Sequence, residues 1–140
     1  MIKNVFKKPN VSLHEYEMHL YIEKLNIVNV PKIISYDKVK KILEMENINN
    51  MSIADYYGEN VENIHEEMFE EIQNIVRLLY QNNVAYPDIT GYNFIEYDDK
   101  IWIIDFEHSE FIKPKDKTSN KYKFIIEFIN GTNKWNKDFL

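Results

Sequence analysis

The sequence predicts an α+β fold, in which short strands and amphipathic helices occupy separate stretches of the chain. Two apolar runs on either side of Asp98-Asp99 are typical of a β-hairpin, because β-branched and aromatic residues flank a turn-forming pair. Residues 61–82 and 120–130 repeat apolar residues every three or four positions, as the buried face of a helix does. We therefore expect one folded unit that combines small sheets with a few helices.

The first helix candidate begins at a capping box. Ser12 supplies a hydroxyl group and Glu15 a carboxylate three residues later, a pair that can satisfy two free backbone N–H groups. We expect this helix to run to about Asn26. Its buried face is marked by Met18, Tyr21, Ile22 and Leu25. Because the cap gives Glu15 a structural role, Glu17 is left free beside the apolar stripe.

Three strand candidates surround this helix in the sequence. Residues 5–8 form the first strand, which Pro9-Asn10 ends. Residues 32–36 form the second, and residues 40–48 form a returning strand after a turn at Asp37-Lys38. The first third of the chain therefore predicts a small sheet with one helix.

The segment after the hairpin predicts a loop, a helix and a return to the core. Residues 108–118 are polar and contain Pro114, which is typical of a loop. The amphipathic stretch 120–130 ends at Asn130-Gly131, a frequent helix stop. We expect Trp135 and Phe139 to fold back against the core.

Candidate metal ligands lie at the two ends of the hairpin. Asn93 stands where the first strand begins, and Asp105 stands where the second strand ends. Antiparallel pairing brings these two ends together, with Asp88 in the loop just before. An acid beside an amide, with a second acid nearby, suits Mg²⁺, which takes a few protein oxygens and completes its shell with phosphate and water.

These residues resemble the motifs of the protein-kinase-like family. Asp88-x-x-x-x-Asn93 resembles the catalytic loop, and Asp105-Phe106-Glu107 resembles the metal-binding Asp-Phe-Gly triplet. The resemblance covers roughly residues 5–111. It implies a minimal two-lobed protein-kinase-like fold in a single domain, residues 1–140. Residues 1–48 would form a reduced N-lobe sheet that lacks the Gly-rich hairpin, and residues 49–140 a truncated helical C-lobe.

The resemblance implies ATP and Mg²⁺ as cofactors and assigns a lysine to the phosphates. We expect this lysine to be Lys7, because Val5 on the same strand face is a better lid for an adenine ring than Phe6, which shares its face with Lys8. Glu17 would pair with Lys7 and orient it. The pairing of Lys8 with Glu15 stays open as the alternative.

The resemblance gives roles to the remaining site residues as well. Asn93 and Asp105 would hold Mg²⁺, and Asp88 would accept the proton of the acceptor hydroxyl group or orient that group. The end of the third strand would contact adenine through the backbone at Glu46, Asn47 and Ile48, with Met45 behind the ring.

Three departures from the family pattern keep other functions open. No G-x-G-x-x-G occurs in the sequence, so the usual cover over the phosphates is missing. Tyr86-Pro87 replaces the His-Arg that precedes the catalytic Asp in the family. Glu107 replaces a glycine, as in the choline- and aminoglycoside-kinase branch. The chain could be a phosphotransferase that acts on a protein Ser/Thr or a small molecule. It could instead be a pseudokinase that binds a nucleotide or a protein, or a small interaction domain whose motifs are accidental.

The composition excludes several classes of partner and site. A net charge of -6 argues against nucleic acid. The 140 residues contain no cysteine, which excludes a disulfide framework and a thiolate zinc site. We find no signal peptide and no apolar run of about 18 residues, so we expect a cytoplasmic protein without a membrane partner. The acceptor and the oligomeric state are left open.

Overall fold

The N-terminal part of the chain folds as a three-stranded antiparallel sheet with one helix beside it. A computed structural model describes residues 4–139. The strands β1 (Val5–Lys8), β2 (Ile33–Asp37) and β3 (Ile42–Glu46) are ordered β1-β3-β2, so β3 is central. Helix α1 (Leu13–Leu25) connects β1 to β2. These elements confirm the predicted small sheet and its helix.

Helix α1 starts and stops where its sequence predicts. The Ser12 hydroxyl oxygen accepts a hydrogen bond from the Glu15 backbone N–H at 3.1 Å, which is the cap expected from the motif. The helix ends at Asn26, whose left-handed backbone (φ 52°) is a frequent helix stop. Only half of the capping box forms, because the Glu15 side chain bonds elsewhere.

In residues 47–139 the structure has three α-helices, a hairpin, a pair of two-residue strands and several 3₁₀ turns. In chain order the α-helices and strands are α2 (Ile53–Tyr57), α3 (Glu66–Gln81), β4 (Val84–Ala85), β5 (Phe94–Tyr97), β6 (Lys100–Ile103), β7 (Glu110–Phe111) and α4 (Lys123–Ile129). Strand β4 pairs with β7, and β5 pairs with β6. No helix among residues 4–139 is both long enough and apolar enough to cross a bilayer.

Two of the predicted helices are shorter than their apolar patterns. The pattern over 61–82 begins with a 3₁₀ turn, Val61–Asn63, and α3 starts only after His65. In the same way a 3₁₀ turn, Asn120–Tyr122, precedes α4. Apolar residues such as Val61 pack against the core from these turns, so the spacing alone extended the predicted helices too far.

The hairpin has the predicted register. Phe94 faces Ile103 and Tyr97 faces Lys100 across the β5–β6 pair. Asp98 and Asp99 at the turn both have positive φ angles, 55° and 56°, as a two-residue type I′ turn requires. The hairpin therefore fixes the positions of the residues at its open end.

Helix α1 contacts both hydrophobic clusters of the protein. The smaller cluster contains Val11 and lies on the small sheet, where Tyr16 of α1 packs against it. The larger cluster lies between the helices and the hairpin, and it includes Met18 and Ile22 of α1. Trp135 is buried in this larger cluster, as expected.

Candidate active site

A lysine from β1 and a glutamate from α1 form the centre of the candidate site. The Lys8 ammonium lies 2.6 Å from a Glu15 carboxylate oxygen and 3.4 Å from Asp105 Oδ1. The Glu15 side chain is only 5% exposed, and that of Lys8 is 27% exposed. A lysine is thus held between two acids, one from each part of the fold.

The predicted pair of Lys7 and Glu17 does not form. Lys7 points to the other face of β1, where its side chain is 69% exposed and lies 3.6 Å from Glu44. Glu17 is exposed on α1. The alternative that the sequence analysis left open, Lys8 with Glu15, is the pair that the structure contains.

The spacing along α1 contains a signal for Glu15 that the prediction did not use. Glu15 lies three residues before Met18 and seven before Ile22, so it belongs to the buried stripe itself. Glu17 lies beside this stripe. Because only the Glu15 backbone N–H takes part in the cap, its carboxylate is free to bind Lys8.

Burial and charge shift the pKa values of this pair. Burial alone would lower the pKa of Lys8, but the hydrogen bond to Glu15 and the charge of Asp105 outweigh it, so the pKa is raised and the ammonium stays charged. Burial raises the pKa of the Glu15 carboxyl group, and the contact with Lys8 opposes that shift. A fixed positive charge therefore faces the cavity.

The cavity beside Lys8 has the character of a small-molecule site. Its volume is about 260 Å³, slightly below the range of about 300–1,000 Å³ usual for such sites. Its walls combine a charged end with apolar side chains from both parts of the fold. They include Phe6, Lys8, His19, Met45, Ile48, Ile95, Ile104 and Asp105.

The predicted adenine-contacting segment lines the same cavity. Met45, Glu46, Asn47 and Ile48 all form part of its wall. The backbone N–H of Glu46 is donated to the Lys32 carbonyl oxygen, and that of Asn47 to the Asn4 carbonyl oxygen. These two N–H groups are therefore engaged within the protein. Phe6, rather than Val5, is the aromatic or aliphatic residue of β1 on the cavity side.

Asp88 is buried next to a histidine. Its side chain is 6% exposed, and Oδ2 lies 2.7 Å from Nδ1 of His108. Burial raises the pKa of Asp88, the hydrogen bond to His108 opposes this, and the charge of Asp105 adds to it. The hydrogen bond to Asp88 raises the pKa of His108. The sequence analysis expected residue 108 to be a plain loop residue and missed this contact.

Asn93 and Asp105, the residues predicted to hold Mg²⁺, lie at the open end of the hairpin. The Asn93 amide nitrogen donates to the Asp88 carbonyl oxygen at 2.8 Å, which turns the amide oxygen away from that contact. The Ile104 backbone N–H donates to the Asn93 carbonyl oxygen at 3.0 Å and so ties the two ends of the hairpin together. Asp105 has a left-handed backbone, φ 64°, a strain that often accompanies functional residues.

These donors fit Mg²⁺ rather than a metal held by protein alone. Within residues 4–139 no cluster of three or more His, Cys, Asp and Glu side chains could hold a metal ion. Mg²⁺ commonly takes only one or two carboxylate ligands and obtains the remainder from phosphate and water. The Asp105 carboxylate and the Asn93 amide oxygen are a donor set of this kind.

Two buried side chains support the loop that carries Asp88. The Tyr86 hydroxyl group donates to the Ile104 carbonyl oxygen at 2.6 Å, linking the loop to the hairpin. Asn136, from the last turn of the chain, donates its side-chain amide to the Pro87 carbonyl oxygen at 2.9 Å and its backbone N–H to the Ile89 carbonyl oxygen at 2.8 Å. Asn136 thereby holds the backbone on both sides of Asp88, a contact across 49 residues that the local pattern did not signal.

A small sheet with one helix, a helical part, and a Lys8–Glu15 pair that meets Asp105 at the cavity between them are the features of a protein-kinase-like fold. The chain belongs to the RIO domain family, whose model matches residues 6–124. The interpretation of the motifs as accidental is therefore wrong.

Two known proteins are similar to this chain. Over 124 residues it is 34% identical to the EKC/KEOPS complex subunit BUD32 of Enterocytozoon bieneusi (strain H348), a match that covers 80% of this chain and 61% of that protein. The chain thus spans 61% of the length of this curated relative. Among solved structures, the Cydia pomonella granulovirus kinase PK-1 matches with a TM-score of 0.54 and 15% identity, over 79% of this chain and 45% of that one, a likeness of fold.

Proposed function

We propose that this chain is an ATP- and Mg²⁺-dependent phosphotransferase that transfers the γ-phosphoryl group of ATP to a hydroxyl group. The observation that carries the proposal is the Lys8 ammonium, held by Glu15 and 3.4 Å from Asp105 at the edge of a partly apolar cavity. Phosphoryl transfer requires accurate positioning and positive charge near the phosphate oxygens, with little covalent chemistry from the protein. Membership of the RIO domain family supports this function.

Each side chain of the site has a role in this proposal. Lys8 binds the phosphate oxygens, and Glu15 keeps its ammonium in place. Asn93 and Asp105 would hold Mg²⁺, which when bound neutralises negative charge on the phosphates. Asp88 accepts the proton of the acceptor hydroxyl group or orients that group.

The adenine base binds against the apolar part of the cavity wall in this proposal. Met45 and Ile48 lie beside Phe6 and Ile95 around the apolar part of the cavity, where a flat adenine ring would lose contact with water. We also propose that residues 1–48 form the smaller lobe and residues 49–140 the larger one. The acceptor is a protein side chain or a small molecule, since the net charge of -6 disfavours nucleic acid.

The test is a transfer assay with γ-labelled ATP and Mg²⁺ on the wild type and two matched variants. Asp105→Asn removes a carboxylate at a residue with φ 64°, and Asp99→Asn makes the same change at a residue with φ 56° in the exposed hairpin turn. Asparagine tolerates this backbone conformation, so both variants should fold. We expect Asp105→Asn to reduce label transfer by at least about 10²-fold and Asp99→Asn to leave it unchanged. Equal transfer by all three proteins would reject the proposal.

A second function, a nucleotide-binding module without turnover, has one observation in its favour. The sequence contains three glycines, and none precedes Gly58, so no glycine-rich segment covers the phosphates near Lys8. This function predicts a rise in melting temperature with Mg²⁺-ATP in the wild type and a smaller rise in Lys8→Met, without transfer of label to water or to any acceptor.

A further inference from the structure

The carboxylate of Asp88 has one oxygen engaged and the other unengaged. Oδ2 lies 2.7 Å from His108 Nδ1. A carboxylate only accepts hydrogen bonds, so Nδ1 of His108 carries the proton and donates it. Oδ1 is buried and has no hydrogen-bond partner among residues 4–139. Buried carboxylate oxygens are usually paired, so among the side-chain contacts of residues 4–139 the bond to His108 is what holds this carboxylate in place.

His108 is itself held from two sides. Its backbone neighbour Ser109 donates its N–H to the Phe106 carbonyl oxygen at 3.1 Å, which forms a tight turn directly after Asp105. On the other side, the Phe139 ring packs against the imidazole with a centroid distance of 5.2 Å. The histidine is thus fixed by the turn and by the last turn of the chain, although half of its side chain is exposed.

From this geometry we propose that His108 is a positioning residue for Asp88. By donating to Oδ2 it fixes the rotation of the carboxylate. This inference rests on the proposed phosphotransferase function. It explains how a chain with Tyr86-Pro87 before Asp88 orients that acid: the orienting donor comes from 20 residues downstream.

Two variants separate the effect of the His108 Nδ1–H donor from the effect of the ring that packs against Phe139. His108→Phe keeps a ring against Phe139 and removes the donor. His108→Asn loses the ring but places an amide N–H where Nδ1 was. His65→Asn serves as the control, because His65 is exposed at the start of α3 and far from the loop in sequence.

The measurement is steady-state kinetics with Mg²⁺-ATP. In His108→Phe we expect kcat to fall by about 10–10²-fold with the KM for ATP within about twofold of the wild type, since Lys8 and the cavity wall are untouched. We expect His108→Asn to recover at least a third of the lost activity on a logarithmic scale. An unchanged kcat in His108→Phe, or no recovery in His108→Asn, would overturn the inference.

A second measurement does not depend on turnover. This measurement is a double-mutant cycle of urea unfolding with the wild type, His108→Phe, Asp88→Ala and the double variant. If His108 and Asp88 are in contact, the change in the unfolding midpoint of the double variant should differ from the sum of the two single changes. Additive effects would overturn the positioning role. A wild type that transfers no label would overturn the proposed function instead, and this cycle would still decide whether His108 fixes Asp88.

Discussion

Lys8 and Glu15, seven residues apart in the chain, meet at 2.6 Å across the space between β1 and α1. Pro9 and Asn10 turn the chain between them, and Asn10 has a left-handed backbone with φ 59°. The pair thus forms over a very short connection. The Glu15 side chain is almost fully buried, so the Lys8 ammonium stabilises its negative charge, whereas the burial itself opposes that charge.

Replacing Lys8 should therefore affect both stability and activity. Lys8→Met keeps the aliphatic stem but leaves the Glu15 carboxylate without its partner, which should lower the free energy of unfolding by about 1–3 kcal/mol. Without the charge at the phosphates, kcat should fall by about 10²-fold or more. Urea unfolding and the transfer assay measure the two effects.

The neighbouring residue is the matched control. Lys7→Met removes a mostly exposed ammonium that lies 3.6 Å from Glu44, and exposed pairs contribute at most about 1 kcal/mol. We expect nearly wild-type stability and activity. If Lys7→Met lost activity and Lys8→Met did not, the assignment of the phosphate-binding lysine would be reversed.

The contribution of His19 to stability should decrease in mild acid. This side chain is 3% exposed, and Nε2 lies 2.7 Å from the Pro31 carbonyl oxygen, to which it donates. Burial lowers the pKa of His19 below 6.5. The unfolded chain therefore binds a proton near pH 6.5 that the folded protein does not bind, so the contribution is complete above that pH and declines below it. The decline should not exceed about 1.4 kcal/mol per pH unit.

The variant His19→Gln isolates this effect. A glutamine amide nitrogen can reach the position of Nε2 and keep the bond to the Pro31 carbonyl oxygen without titrating. Between pH 7 and pH 5 the free energy of unfolding should decrease less with falling pH in His19→Gln than in the wild type. Identical slopes in the two proteins would contradict the assignment.

Asn136→Ala should destabilise the loop that carries Asp88. The substitution removes the donor to the partly buried Pro87 carbonyl oxygen and the acceptor of the Asp138 N–H. The expected loss of stability is about 1–3 kcal/mol, with a lower kcat and an unchanged KM for ATP. Asn130→Ala, at an exposed residue that follows α4, should be close to neutral. A loss of stability without any change in kcat would show that Asn136 does not position the loop.

The hairpin turn offers a gain of stability. Asp98 and Asp99 both adopt positive φ angles, for which Asn-Gly is preferred. Replacing them with Asn-Gly relieves backbone strain in the folded protein, whereas the glycine increases the conformational entropy of the unfolded chain. The net increase in the free energy of unfolding should be roughly 0.5–1 kcal/mol. Ala-Ala at the same positions should destabilise the protein. Thermal unfolding of the three proteins gives the order, and a stable Ala-Ala variant would contradict the turn type.

The sequence predicted those features that depend on local patterns. The cap of α1 at Ser12, the hairpin with its turn, and Asp88, Asn93 and Asp105 at its open end are encoded within short stretches, and the structure contains each of these elements. The small sheet followed from apolar runs and breakers. These signals are strong because the residues that form each feature are neighbours in the chain.

Features that depend on which face of an element is buried were harder to predict. Lys7 and Lys8 are neighbours on β1, and neighbouring side chains of a strand point to opposite faces of the sheet. Lys7 was predicted because Val5, on the same strand face, fits an adenine ring better than Phe6 does. In the structure Phe6 lines the cavity. The contacts of His108 and Asn136 join residues 20 and 49 positions apart, so no local spacing could reveal them.

Helix α1 contributes side chains to both hydrophobic clusters and also carries Glu15. A rigid-body separation of the sheet from the helical part would therefore have to expose Met18 or Tyr16 to water. Movement of the sheet away from the hairpin is therefore opposed by the loss of apolar burial on α1.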